Sequence, residues 1–367
     1  CRRDDTFFAS KPSARESNTT RTMTVELKSS VKSPPAVGYS LTEVVVAAAL
    51  IGLLFLGFAP VFNMARRAMV GNEAKTALKS ISESVMTRID GNLREARRVY
   101  VRRITSWPAN TAATVVDDFS AYVDLTGCPP PLSGSQMHTR ASTETVGNVL
   151  FFVKQLPPLQ VVTGSTTTAV GVLVFYYYYV SLAPGGKSFG NGRERHLYEW
   201  KSVPYLEWGQ LTRIGDAGLR SAVIEALRLQ GGWRAYDVSQ PLLDSAFYNL
   251  TGGGTLTLNP GHLIQRGEIA PLTTGINGRS LSGFSISVSP NTAVLPTGTF
   301  KFTVPTTTFG TNWTGDSPSG FEVTNNGQNK SRGATLLRVR LVLLAQGPFD
   351  PFITREGVIA STVQDVW

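Results

Sequence analysis

The chain has 367 residues, of which 42% are hydrophobic and 17% are charged, values typical of a globular protein. Its 35 glycines and 21 prolines indicate β-structure and turns, and its length leaves room for two domains. The net charge of +9 is unevenly distributed, because residues 63–103 carry ten Lys/Arg and four Asp/Glu while residues 104–367 carry 18 and 17. The distribution therefore excludes a strongly basic C-terminal part.

The N-terminal residues are predicted to lie outside the fold. Residues 1–22 are polar and charged, and we predict that translation starts at Met23, with a true N-terminal extension as the alternative. Lys28 and Lys32 precede an apolar run, and positive charge at that place favours a cytoplasmic N-terminus.

That apolar run is the most informative stretch of the sequence. Residues 44–62 form 19 consecutive uncharged positions, with Glu43 directly before them. As a helix they cover about 28 Å, close to the roughly 30 Å hydrocarbon thickness of a bilayer. A carboxylate at the edge of such a run is costly in lipid and indicates a function.

Gly38, Tyr39, Leu41, Glu43 and the apolar run together resemble the class III signal of type IV prepilins and pseudopilins. The resemblance implies that a prepilin peptidase cuts between Gly38 and Tyr39 and methylates Tyr39, where the family more often has phenylalanine. It also implies that Glu43, fifth in the mature chain, pairs with the terminal amine of a neighbouring subunit. The alternatives are a secretory signal, whose apolar core is shorter and precedes its cleavage site, and a plain single-pass anchor.

Cleavage at this position would leave Cys128 as the mature chain's cysteine, since Cys1 lies upstream. An intrachain disulfide and a metal site built on paired cysteines would then both be excluded.

Three helix-weakening residues lie inside the apolar run: Gly52, Gly57 and Pro60. Proline removes a helical hydrogen bond, and each glycine costs about 1 kcal/mol relative to alanine. The resemblance implies that this segment unwinds when a subunit enters a filament; a simple kink is the alternative.

An amphipathic helix is predicted to follow over residues 63–103. One face is apolar: it carries Leu78, Ile81, Val85, Ile89, Leu93, Ala96 and Tyr100. The other face is basic: it carries Arg66, Arg67, Lys75, Lys79, Arg88, Arg94, Arg97, Arg98, Arg102 and Arg103. Together with the apolar run this makes a helix of about 60 residues and 90 Å, too long for one head to bury. The exposed half therefore requires lipid or other subunits.

The remainder, residues 104–367, is predicted to be a β-rich head. Strands are expected where β-branched and aromatic residues concentrate: at 149–156, 170–182, 197–203, 284–288, 299–304 and 336–345. A short helix should start at Asp216 as N-cap and end at Gly231–Gly232. Candidate recognition loops are expected at 126–148, 183–195, 251–262 and 305–333, and residues 352–367 should pack onto the head.

The run of four tyrosines from Tyr176 to Tyr179 would alternate between the two faces of a strand. We expect aromatic packing on both faces, one against the long helix. A surface that stacks nucleic-acid bases is the alternative.

Chemistry-bearing motifs are weak in this sequence. His138, His196 and His262 lie far apart, and the His196–Glu199 spacing places the two side chains on opposite faces of a strand. Asp117–Asp118 and the Gly252–Gly254 run lack the neighbours that a carboxylate dyad or a phosphate loop needs. The sequence therefore predicts no catalytic, cofactor-binding or metal-binding residues, calcium included, and no enzyme.

The sequence thus predicts an α+β protein: a cleaved leader (1–38), a long helix (39–103) with a transmembrane segment (44–62), and a β-rich head (104–367). By size the chain resembles a large W-type minor pilin or a J-type pseudopilin. The resemblance implies assembly or priming of a type IV pilus or a type II secretion pseudopilus.

The expected partners are other pilin subunits, the prepilin peptidase, membrane lipid and the inner-membrane assembly platform. The expected location is the cytoplasmic membrane with the head outside the cytoplasm, then the fibre. The alternatives are a DNA-uptake pseudopilus subunit that contacts nucleic acid, a pilin-anchored adhesin and a membrane-anchored hydrolase.

Overall fold

A computed structural model describes residues 40–100, 119–132, 137–141, 144–182, 188–189, 192–193, 195–240, 243, 245–273, 281–282, 285–286, 292–295, 298–301, 321–329, 334–345 and 353–364. All structural statements below concern these residues.

The helices in chain order are α1 (Leu41–Arg94), a 3-10 turn (Phe119–Tyr122), α2 (Trp208–Thr212) and α3 (Ala217–Gln230). The strands are β1 (Ala96–Tyr100), β2 (Met137–Ala141), β3 (Glu144–Gly147), β4 (Leu150–Thr163), β5 (Thr166–Leu182), β6 (Ser188–Phe189), β7 (Gly192–Arg193), β8 (Arg195–Ser202), β9 (Tyr205–Glu207), β10 (Arg234–Tyr236), β11 (Phe247–Thr251), β12 (Thr255–Leu258), β13 (Arg266–Pro271), β14 (Leu281–Ser282), β15 (Ser285–Ile286), β16 (Thr292–Leu295), β17 (Gly298–Lys301), β18 (Phe321–Asn329), β19 (Ala334–Ala345) and β20 (Ile353–Gln364).

Helix α1 is 54 residues long, and the apolar stripe predicted for its second half is largely confirmed. Leu78, Val85, Ile89 and Leu93 are all buried, and Ile81 is partly buried. The buried stripe also contains Ala74, Ser82 and Met86, which were not among the predicted residues.

The predicted end of this helix at Arg103 was too late. Helix α1 ends at Arg94, and Ala96–Tyr100 form strand β1, which pairs antiparallel with β4. Val99 and Tyr100 suit a strand, and pairing with a buried neighbour outweighs a weak helical pattern. Ala96 and Tyr100 are buried as predicted, but from a strand.

The largest sheet has nine strands, and β5 lies at its centre. One edge of β5 pairs along its length with β4, in the register that places Leu150 opposite Tyr178. Its other edge pairs with β9 and then with β8, so the sheet divides into two arms, β9–β10–β11–β12 and β8–β13. The β9–β10 pair is parallel, and the other pairs are antiparallel.

Two hydrophobic cores lie on this sheet. The larger core joins the stripe of α1 to residues of β1, β4, β5 and β8, among them Phe152 and Tyr178. The smaller core holds α3 against β4, β5, β9 and β10 through Val223, Ile224 and Leu227.

A second sheet of six strands contains β14, β19, β18, β3 and β2 in that order, with β20 beside β19. The C-terminal strand β20 pairs with β19 over twelve residues, from Ala334 opposite Gln364 to Ala345 opposite Ile353. The expectation that the C-terminal segment belongs to the head is therefore confirmed for β20.

The chain divides into two compact units, and the boundary between Val61 and Phe62 lies inside α1. The second unit contains the later part of α1 together with the sheets.

The predicted strands at 149–156, 170–182, 197–203 and 336–345 correspond to β4, β5, β8 and β19. The strands expected at 284–288 and 299–304 overlap the short β15 and β17.

Helix α3 follows its prediction, since Asp216 accepts a hydrogen bond from the Leu219 amide (2.9 Å) and Gly231 ends the helix with a positive φ of 76°. The prediction of loops was partly wrong, because every one of the four segments contains strands: β2 and β3 lie in 126–148, β6 and β7 in 183–195, β12 in 251–262 and the whole of β18 in 305–333. The α+β class, a long N-terminal apolar helix followed by a β-rich domain, is confirmed.

Candidate functional site: the exposed half of helix α1 and its start

Helix α1 begins in a capping box formed by Ser40 and Glu43. The Glu43 amide donates to the Ser40 hydroxyl at 3.3 Å, and the Ser40 amide donates to a Glu43 carboxylate oxygen at 3.0 Å. Reciprocal pairing of this kind satisfies backbone donors at the start of a helix, and the Glu43 amide also lies 3.0 Å from the Ser40 carbonyl oxygen. The carboxylate of Glu43, the predicted assembly residue, therefore caps the N-terminus of its own helix. The predicted cleavage residues Gly38 and Tyr39 lie outside the described residues.

The first half of α1 is exposed and apolar. Every large hydrophobic side chain from Leu41 to Phe62 is more than half exposed. The helix is long and apolar enough to cross a membrane, which fits the predicted span at 44–62 and is compatible with a single-pass membrane protein. Exposed apolar surface of this extent marks an interaction with lipid or protein.

The predicted helix-weakening residues Gly52, Gly57 and Pro60 all lie within continuous helix in the single chain. A Cβ added to either glycine would meet no atom within 4 Å, so among the described residues nothing packs closely against them. The predicted unwinding concerns the filament and stays a prediction.

The basic face predicted for the second half of α1 and the residues after it is largely paired within the chain. Arg98 is buried and donates to the carbonyl oxygens of Val238 (2.5 Å) and Gln240 (2.7 Å). Arg97 contacts Glu207 at 3.4 Å. The prediction that Arg97 and Arg98 belong to the basic face of a helix was wrong, because both residues lie in strand β1 and contact partners in the head.

Arg94 and Lys79 pair within α1, with Asp90 at 2.7 Å and Glu83 at 3.8 Å. Arg102 and Arg103 lie outside the described residues.

A partly buried ionic cluster joins the second half of α1 to the large sheet. The Arg88 guanidinium donates two hydrogen bonds to Glu199 of β8, at 2.9 and 2.6 Å, and Tyr178 donates to the same carboxylate at 2.6 Å. Glu199 is only 4% exposed. The Glu199 carboxylate raises the pKa of Arg88, and burial, followed by the same carboxylate, raises the pKa of Tyr178 well above its ordinary value.

Asn92 extends this cluster to the neighbouring strands. Its amide nitrogen donates to the Tyr178 hydroxyl at 2.9 Å, and its carbonyl accepts from Lys154 of β4 at 3.1 Å. Lys154 also pairs with Glu95 at 2.8 Å. Sequence reasoning missed Asn92 and Glu199 as partners. Glu199 is the lone acid of β8 and was the available signal, but the sequence does not say which cation reaches it.

The four tyrosines Tyr176–Tyr179 are all buried, and they alternate between faces as predicted. Tyr176 and Tyr178 stack on Phe152 at 5.4 and 6.0 Å, on the face that meets α1. Since no ring of the four is accessible, the alternative of a base-stacking surface was wrong.

The side chains of His196 and His262 each lie within hydrogen-bonding distance of a neighbour in the head. The Nδ1 atom of His196 lies 2.6 Å from the Thr273 carbonyl oxygen, and the His262 Nε2 atom lies 3.2 Å from the Tyr205 hydroxyl. Burial, aided by the charge of Arg234, lowers the pKa of His262 to about 4. The side chain of His138 and the residues Asp117 and Asp118 are not among those described.

Among the described residues, no three His, Cys, Asp or Glu side chains gather closely enough to hold a metal ion. Cys128 is half-buried, and the Arg266 guanidinium lies 3.1 Å from its sulfur. The glycine run 252–254 forms the turn of the β11–β12 hairpin, where a Cβ on Gly254 would collide with Ser221.

The fold and the helix define a broad class: an α+β protein with one N-terminal helix fit to cross a membrane. Compared with protein-family models, curated proteins and solved structures, the chain finds no match in any of the three. The functional assignment therefore rests on the residues and geometry above.

Proposed function

We propose that this chain is a pilin-like subunit, a large minor pilin or pseudopilin, that assembles into or primes a type IV pilus or type II secretion pseudopilus. The observation that carries the proposal is the contrast within α1: its first half exposes apolar side chains, and its later residues are buried in a β-rich unit. Such a helix half needs a bilayer before assembly and neighbouring helices after it.

Support at the level of single residues comes from Gly38, Glu43 and the uncharged run that follows them. In this proposal the prepilin peptidase cuts after Gly38 and methylates Tyr39. Glu43 then pairs with the terminal amine of a neighbouring subunit, so the carboxylate exchanges its contact with Ser40 for an intermolecular one.

The proposed location is the cytoplasmic membrane, with the head outside the cytoplasm, and then the fibre. Charge alone does not set this orientation. Within 20 residues of the apolar run, two Lys/Arg precede it and four follow it, a balance that by itself favours the opposite orientation. The proposed orientation therefore rests on the resemblance to prepilins.

The alternative of a DNA-uptake subunit has lost part of its support, because Arg88, Arg97 and Arg98 engage partners in the chain rather than forming a free basic face. No contact among the described residues favours an adhesin over a minor subunit.

Substitutions at Glu43 test the proposal. A capping box works with either Glu or Gln at this position. If Glu43 served only its own helix, Glu43→Gln would behave like the wild type. If its charge pairs with a neighbouring amine, Glu43→Gln and Glu43→Ala should both stop incorporation into fibres, as measured by immunoblotting of sheared fibres.

The matched control is Glu73→Ala, which removes another exposed acid from the same helix and should incorporate normally. Normal incorporation of Glu43→Gln would contradict the assigned role of the carboxylate.

A further inference from the structure

Residues 62–69, here called the collar, directly follow the apolar run and are exposed all round the helix. Phe62, Met64 and Met69 are 70%, 75% and 65% exposed. At 100° per residue, Phe62, Arg66 and Met69 lie on one side of the helix, and Met64 and Arg67 lie on the other. A one-sided protein contact needs only a stripe, whereas a surrounding lipid layer meets every side.

The spacing within the collar matches the headgroup layer of a bilayer. Arg66 follows Phe62 by four residues, which is about 6 Å along a helix. The headgroup region adds about 5–7 Å on each side of the hydrocarbon core. A helix whose apolar run ends at Phe62 in the hydrocarbon therefore places Arg66 and Arg67 among the lipid phosphates.

The charge of the collar matches this environment. Arg66 and Arg67 are the charged residues between positions 62 and 72, and the first acidic residue after them is Glu73. Guanidinium groups bind phosphate oxygens through paired hydrogen bonds. The exposed Met64 and Met69 provide apolar surface at the same depth.

We propose that the collar is a membrane-interface site in which Arg66 and Arg67 bind the phosphate groups of anionic phospholipids. The site rests on the membrane insertion contained in the proposed function, but not on assembly into a fibre. At roughly 1 kcal/mol for each basic residue near an anionic surface, the two arginines together give up to about a 30-fold preference for anionic lipid.

The test uses the full chain in phosphatidylcholine nanodiscs with a minority of phosphatidylglycerol. Spin-labelled lipids of both kinds report which lipid the protein immobilises. The wild type should immobilise phosphatidylglycerol several-fold more than phosphatidylcholine. The Arg66→Gln/Arg67→Gln variant should lose this preference, and the matched control Lys75→Gln/Lys79→Gln, with the same change in charge, should keep it.

The proposal would be overturned if the arginine variant kept the wild-type preference for phosphatidylglycerol. It would also be overturned if the arginine variant and the lysine control lost that preference to the same extent. Loss of the wild-type preference when inorganic phosphate is added at constant ionic strength would also overturn it, because the site would then bind free phosphate. Carbonate extraction separates the two proposals: release of the chain from membranes contradicts the proposed function, whereas retention without lipid preference contradicts the collar alone.

Discussion

The two halves of helix α1 have the same backbone and opposite surroundings. Between Leu41 and Val61 the side chains are exposed and almost entirely apolar, with Glu43 as the charged residue. Between Phe62 and Arg94 the exposed side chains are mostly polar, and an apolar stripe is buried. The comparison shows how a change of hydrophobic pattern divides one helix. A uniformly apolar segment suits an apolar environment on every side, whereas a periodic segment suits packing on one face and water on the other.

The second half is also fixed in place by specific polar contacts. The Arg88–Glu199 pair and the Asn92 hydrogen bonds determine how this half sits on the sheet. Among the described residues, the first half has no such contacts beyond those that join Ser40, Thr42 and Glu43 at its start, and the proposed function requires a surface of this kind.

The largest expected effect comes from replacing one leucine in each half of α1 and comparing the two losses of stability. Leu93→Ala removes a fully buried side chain, and the resulting cavity should lower the free energy of unfolding by about 2–5 kcal/mol. Leu54→Ala, the matched control in the exposed half, should change it by less than about 0.5 kcal/mol. Denaturant unfolding of the full chain in detergent measures both. Equal losses would contradict the division of α1 into a buried and an exposed half.

The ionic cluster gives the next largest effect. Arg88→Ala leaves the Glu199 carboxylate buried without its cation, which should cost about 2–3 kcal/mol, less than a fully buried pair because Arg88 is half exposed. Arg94→Ala, which breaks an exposed pair on the same helix, should cost less than about 1 kcal/mol. A double-mutant cycle with Glu199→Gln should show strong coupling for Arg88 and almost none for Arg94. If the losses of unfolding free energy for Arg88→Ala and Glu199→Gln were additive, the ionic cluster would not be what holds α1 on the sheet.

A smaller effect comes from pH, which acts on the head rather than on the exposed half. The pKa of His262 is about 4 in the folded chain, below its ordinary 6.5, so the unfolded state binds the proton first as the pH falls. Stability is therefore fully present above pH 6.5 and is lost progressively toward pH 4. Between pH 7 and pH 5 the loss should be about 1 kcal/mol, because the half-buried ring keeps part of its hydration.

Thermal unfolding of the wild type and of His262→Gln over this pH range measures the contribution. The variant should show a smaller dependence on pH. An unchanged dependence would assign the acid sensitivity to other groups.

How far the sequence predicts this molecule depends on the range of the interactions involved. The apolar run, the stripe through Leu78, Val85, Ile89 and Leu93, and the cap at Asp216 are local patterns, and each was found at its place. The strand Ala96–Tyr100 was mistaken for helix because pairing with β4, more than fifty residues away, decides its conformation.

The partners of Arg88, Arg97 and Arg98 could not be predicted for the same reason. Each lies on an element that the fold brings together with β8, β9 or the segment after β10, and spacing along the chain does not encode that encounter. The candidate assembly residues Gly38, Tyr39 and Glu43, by contrast, depend on local sequence, and the capping box at Glu43 adds a structural role that the motif alone did not reveal.

The most direct test of the central claim is the mass of the N-terminal peptide of the native protein extracted from membranes of a cell with a prepilin peptidase. The account predicts a chain that begins with methylated Tyr39, which frees the exposed half of α1 to pass from lipid into a fibre. A chain that still continues through the Gly38–Tyr39 peptide bond would contradict it and would leave a membrane-tethered β-rich head in place of a fibre subunit.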